Sequence, residues 1–88
     1  MKKLSYLEIG IQTLEALNKP ATRQEIWTYI EQHELYKQLK SFDETIGKDS
    51  IGKTPIMSLS ANLYTEAKKD GGKIYTLGSQ PKYFCLNK

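Results

Sequence analysis

The chain has 88 residues, 39% of them hydrophobic and 26% charged, and a formal net charge of +3. That is enough for one small globular domain, too well balanced for a disordered chain, and too short for a multi-domain enzyme. No apolar run approaches the roughly 18–20 residues of a membrane span, the basic start is interrupted by Glu8 and Gln12, and the one cysteine, Cys85, cannot form an intrachain disulfide. These features lead us to expect a cytoplasmic protein with no membrane partner.

Ser5-x-x-Glu8 is a capping box, and Leu7, Ile11, Leu14 and Leu17 follow at helical spacing. A first helix is expected over 5–18, with Ile9 off the stripe as a scattered surface residue. Lys19-Pro20-Ala21 ends the pattern, because proline cannot continue a helix interior. Thr22-x-x-Glu25 is a second capping box. Ile26, Tyr29, Ile30 and His33 then share a face, with Trp27 beside them as a core residue, giving a second helix over 22–35. Ala21 is a candidate for a short strand before it. Residues 36–53 show no period and read as a loop insertion, with one helical turn near Tyr36–Leu39.

Thr54-Pro55 marks the start of a third helix, with Thr54 as cap and proline at the first position, where a missing N–H costs nothing. Ile56, Leu59, Leu63 and Ala67 make its apolar stripe over 55–69. Asp70-Gly71-Gly72 offers a glycine for a left-handed cap. The runs Ile74-Tyr75-Thr76-Leu77 and Tyr83-Phe84-Cys85-Leu86 flank Gly78-Ser79-Gln80-Pro81 and read as a β-hairpin. The expected fold class is α+β: a winged helix-turn-helix of three helices followed by a hairpin wing, over 1–88 as a single domain.

Residues 47–54, GKDSIGKT, match the phosphate-cradling loop G-x-x-x-x-G-K-[ST] letter for letter. The context argues against it. The upstream stretch KQLKSFDETI is too polar for the buried parallel strand such a loop needs, and no apolar run ends in an aspartate that could hold Mg²⁺. Nucleotide binding is therefore not expected. Lys53 and Thr54 instead sit at a helix start, where anions are favoured. Two readings stay open there: contact with a nucleic-acid backbone phosphate, or a solvated loop with an ordinary cap.

Other chemistry is sparse. His33 is the sole histidine and has no second ligand nearby, so neither a metal nor any other cofactor is expected. It reads as a partly buried imidazole at the negative end of its helix. Cys85 reads as core filling. No carboxylates are spaced for acid–base work, so any catalysis would lie in a separate domain outside this chain. Charge is uneven, however. Residues 1–47 carry six Lys/Arg against seven Asp/Glu, whereas 48–88 carry seven lysines against three acids.

Opposite its apolar stripe, helix three carries Ser58, Ala61, Asn62 and Thr65, with Lys68 and Lys69 at its end. Small and amide side chains let a helix approach base edges, and Asn pairs bidentately with adenine. Ser58, Asn62 and Thr65 are the candidate base contacts. Lys53, Thr54, Lys68, Lys69, Lys73 and Lys82 are the candidate phosphate contacts. A solvated helix face is the simpler reading of the same residues.

Three stretches, Lys19–Ile26, then Gly52-Lys53-Thr54-Pro55 with Leu59-Ser60-Ala61-Asn62-Leu63-Tyr64, then Ile74–Gly78 with Tyr83–Leu86, resemble the HARE-type winged helix-turn-helix family. The likeness runs from about Tyr6 to Leu86. The middle stretch is its most specific part, since a GKTP-like sequence leads into the third helix of that family. The resemblance implies a module that binds double-stranded DNA. Such modules occur at one end of restriction endonucleases and other DNA-acting bacterial proteins, and in chromatin regulators, where a role in sensing DNA sequence or modification has been proposed. The implied partner is then a fused or associated nuclease domain. The chain departs from the family in its longer 36–53 segment and in Pro81-Lys82, near which the family commonly has glycine. A second expectation is a protein-interaction winged helix that docks on a polymerase or nuclease. It draws on the modest charge and on Arg23 being the sole arginine.

Overall fold

A computed structural model describes residues 3–87. Both capping boxes form as the sequence predicts. Ser5 and Glu8 exchange backbone–side-chain hydrogen bonds of 3.0 and 3.1 Å to open α1 (Tyr6–Leu17), and Thr22 and Glu25 do the same at 3.0 and 3.2 Å to open α2 (Arg23–Gln32). Asn18 ends α1 in the left-handed region at φ 53°, a conformation asparagine tolerates better than most residues. Helix α2 stops at Gln32, three residues short of expectation. His33 caps its end and lies exposed, its ring 4.2 Å from that of Tyr29, and is not tucked into the apolar face.

The buried face of α1 differs from the stripe read off its leucines. Ile9 is fully buried, not a surface residue, and with Gly10, Thr13 and Leu14 it makes the inner face. The reason is the close approach of α3 (Pro55–Lys68). A Cβ added at Gly10 would come within 2.9 Å of Leu63 and 3.3 Å of Leu59. Thr13 is admitted because its hydroxyl donates to the Ile9 carbonyl at 2.8 Å. Glycine and threonine thus occupy a core face that an apolar pattern does not mark.

The 36–53 segment folds into two short 3-10 turns, Leu35–Gln38 and Lys48–Ile51, the first near the turn expected at Tyr36–Leu39. It is anchored by Leu39, Phe42 and Ile51, all buried, and by paired hydrogen bonds between the Leu4 backbone and Gln38 and Lys40. Burial of such side chains contributes roughly 1.5–3 kcal/mol each, so the insertion is part of the core.

After α3 the chain turns through Asp70-Gly71. Lys69, at the helix end, is extended. The left-handed glycine, Gly71 at φ 75°, serves the turn closed by Gly72 N–H to Lys69 C=O at 3.1 Å and does not cap the helix. Strands β1 (Ile74–Leu77) and β2 (Tyr83–Leu86) then pair antiparallel, with Ile74 opposite Leu86 and Leu77 opposite Tyr83. Ala21 supplies the expected extra strand as a single bridge. It donates to and accepts from Phe84 at 3.1 and 2.7 Å. Ile26, Ile30, Leu59, Leu63, Ile74 and Phe84 close the core between the helices and the hairpin, and Trp27 joins them as predicted. The result is a small α+β domain of three helices and a two-stranded hairpin, an order compatible with a winged helix. No helix among the described residues is long and apolar enough to cross a membrane.

Two glycines in this frame predict different outcomes. A Cβ at Gly72 would overlap the Glu66 backbone carbonyl, which cannot move aside. At Gly10 it meets only side-chain ends, Leu63 Cδ2 at 2.9 Å and Leu59 Cδ1 at 3.3 Å, and alanine gains about 0.5–1 kcal/mol of helix propensity. Urea unfolding should therefore show Gly72→Ala losing about 3 kcal/mol while Gly10→Ala stays within about 1 kcal/mol of wild type.

Candidate nucleic-acid interface

Proline at the first position starts α3, and Thr54 precedes it at the cap position. The Thr54 side chain makes no capping hydrogen bond, contrary to the role expected for it. The residue is exposed, with φ −130° and ψ 58°. Leu59 and Leu63 turn inward. At 100° per residue the remaining surface divides into two flanks. Ser58, Asn62 and Thr65 lie on one, and Met57 and Tyr64 on the other. Asn62, Thr65 and Lys69 border a shallow depression shared with Leu7 of α1. Tyr64 faces the opposite way, into a cleft shared with the start of α2 and the hairpin turn.

All three candidate base contacts are exposed. Two of them hold on to their own helix. Asn62 Nδ2 donates to the Ser58 carbonyl at 2.8 Å, and Thr65 Oγ1 donates to the Ala61 carbonyl at 2.9 Å. Asn62 retains its side-chain carbonyl and a second N–H for an outside partner.

The candidate phosphate contacts do not converge on this ridge. Lys53 lies before the first turn of α3, in a groove of about 470 Å³ with Trp27 and Asp49. Lys68 and Lys69 lie about 20 Å away at the other end of the helix. Lys69 Nζ is 3.4 Å from the Glu66 carboxylate, and the Lys73 backbone N–H donates to the same carboxylate at 2.8 Å. Lys82 is on the other flank, its ammonium 4.5 Å from the centre of the Tyr64 ring. The structure therefore groups Ser58, Asn62, Thr65 and Lys69, and sets Lys53 and Lys82 at the margins.

Glu66 is the residue sequence reasoning missed. It is a buried acid on the inner face of α3, within its last turn, and it ties that end to the start of β1. The hydrogen bond from the Lys73 amide, more than the Lys69 ammonium, holds its carboxyl below the usual range against the opposing effect of burial. The available signal was an acid falling on the same stripe as Leu59 and Leu63. Arg23 was also passed over as a contact. As the first residue of α2 it reaches across to α3, with Nη1 3.7 Å from the Met57 sulfur.

GKDSIGKT adopts no strand–loop–helix geometry. Gly47 and Gly52, at φ 85° and 87°, bracket the second 3-10 turn, and Lys48 within it pairs with Glu31 of α2. Cys85 is buried in β2. Among the described residues no group of three His, Cys, Asp or Glu is placed to hold a metal ion. Comparisons with family models, with curated proteins and with solved structures found no match to this chain.

Because the Glu66 carboxyl is held below its unfolded value, its contribution to stability is present at neutral pH and is lost as pH falls through the lowered folded value. Replacing Glu66 with Gln should flatten the acid limb of the stability–pH curve, measured by urea unfolding at stepped pH, and should reduce stability at pH 7.

Proposed function

We propose that this chain is a DNA-binding winged helix-turn-helix module of the HARE type, the recognition part of a larger bacterial restriction or defence protein. In this reading α3 enters the major groove. Ser58, Asn62 and Thr65 meet base edges, and Lys53, Thr54, Lys68, Lys69, Lys73 and Lys82 meet phosphates. The observation that carries it is the outward face of α3. That face carries small and amide side chains, no element among the described residues covers it, and lysines stand near both of its ends. The hairpin lies alongside and supplies Lys82. Asn62 pairs with a base through its side-chain carbonyl and second N–H, which the hydrogen bond to the Ser58 carbonyl leaves available.

A second reading, docking on a polymerase or nuclease partner, draws on a different observation. Tyr75, Leu77 and Tyr83 project from the outer face of the hairpin and are 43%, 48% and 37% exposed, an apolar surface set apart from the lysines of α3.

Fluorescence anisotropy with labelled duplexes separates the two. Neutralisation of four or five phosphates predicts a slope of log K against log salt of about −4. A flat dependence removes the electrostatic model. Asn62→Ala should cost ~1–3 kcal/mol at one base pair. An unchanged sequence preference in that variant refutes the role given to Asn62.

A further inference from the structure

The groove holding Lys53 also holds Glu31 and Asp49, and the depression beside Asn62 holds Glu66. The cleft between α2, α3 and the hairpin turn is of another kind. It encloses about 400 Å³, receives Arg23 from α2 and Lys82 from the hairpin, and has no carboxylate among its lining residues. Glu25, the acid nearest Arg23 in sequence, is engaged with the Thr22 backbone N–H. Among the described residues, the contacts these two cations make neutralise no charge. Arg23 leans on the thioether of Met57, a weak acceptor, and Lys82 on the ring of Tyr64. Lys69, by contrast, already faces the Glu66 carboxylate.

We infer that this cleft seats one phosphate group of a nucleic-acid strand, gripped jointly by Arg23 and Lys82. The guanidinium fork matches two phosphate oxygens, and the ammonium adds a point charge from the other side. Gln24 and Ser79, on the same lining, carry donors for the remaining oxygens. The Tyr64 ring, braced edge-on by Phe84 at 5.5 Å, is a flat wall for the sugar. Because both cations line one cleft, they share an anion and do not neutralise two. The inference takes its source of phosphate from the DNA-binding reading. The phosphate is either an internal diester or a terminal monoester, and the same chemistry serves both.

The test measures the full chain by anisotropy as wild type, Arg23→Gln, Lys82→Gln and the double variant, on duplexes with and without a 5′-phosphate. Each single variant should bind about tenfold more weakly. The double variant should lose less than the product of the two losses, since the residues share a partner, and its salt slope should be shallower by about one. Multiplicative losses with a slope change of about two overturn the shared seat. Unchanged affinity in the double variant overturns the cleft and leaves the DNA-binding reading standing. Dependence on the 5′-phosphate assigns the seat to a strand end, and independence assigns it to the backbone; either source satisfies the inference. Thermal melting checks that each variant is folded, and Arg23→Lys, which keeps the charge, should retain the wild-type salt slope. If the wild type binds no duplex, the DNA-binding reading fails and the cleft is decided by NMR titration with inorganic tripolyphosphate. Shifts at Arg23 and Gln24 that vanish in the double variant uphold an anion seat, and their absence overturns it.

Discussion

The two hydrogen bonds between Ala21 and Phe84 hold the candidate interface together. Without them the hairpin is a two-stranded ribbon held to the helices by core packing and by the hydrogen bond from the Lys73 N–H to Glu66. With them, β2 is paired on both edges, to Thr76 on one side and to Ala21 on the other. Ala21 is next to Thr22, the cap of α2, so the bridge fixes the hairpin against the start of that helix. Phe84, fully buried at the same point, presents its ring to Tyr64 of α3. A single residue pair thereby sets the distance among three elements, and the cleft that receives Arg23 and Lys82 is the space they leave.

Glu66 does the corresponding work at the other end of α3. A buried carboxylate is costly unless it is hydrogen-bonded, and here it accepts from the Lys73 amide and faces the Lys69 ammonium. The consequence reaches beyond stability. Two of the lysines that make the C-terminal half basic stand close to this acid, so a count of lysines overstates what that half offers a polyanion. Lys53, Lys68 and Lys82 form no ion pair among the described residues, and the basic surface is better described by them and Arg23 than by the count of lysines.

What was legible in the sequence follows physical locality. Capping boxes act within four residues, and both formed as the letters imply. The strands fell on the residues expected because alternation and turn chemistry are also local. Errors arose where a distant element decided the matter. Ile9 is buried because α3 crosses α1 at Gly10, and nothing within α1 announces a neighbour that close. Leu39, Phe42 and Ile51 lie too far apart in a polar segment to show a period, yet each reaches the core. Thr54 has the right letter for a capping side chain and the right position. Its conformation, though, is not the extended one of Ser5 and Thr22, and its hydroxyl makes no such bond. The candidate site was legible in the same measure. The outward residues of α3 follow from helical periodicity. Which cations share a cleft depends on how α2, α3 and the hairpin meet.

Close contact between α1 and α3 at Gly10 also governs how α3 is presented. Small side chains let two helices approach, and here the approach presses the inner face of α3 against α1 while Leu7 rises beside Asn62 and Thr65. One flank of α3 is therefore bordered by an apolar shoulder, and the other by Arg23, Lys82 and Tyr64. The outward face of α3 thus has unlike surroundings on its two sides. The polar ridge between them is narrow, and Asn62 and Thr65 on it are already held to α3 by their own hydrogen bonds, which fixes their orientation before any partner arrives. Under the DNA-binding reading, that asymmetry divides the work: the cationic flank sets the position and direction of the strand, and the ridge reads what that position brings to it.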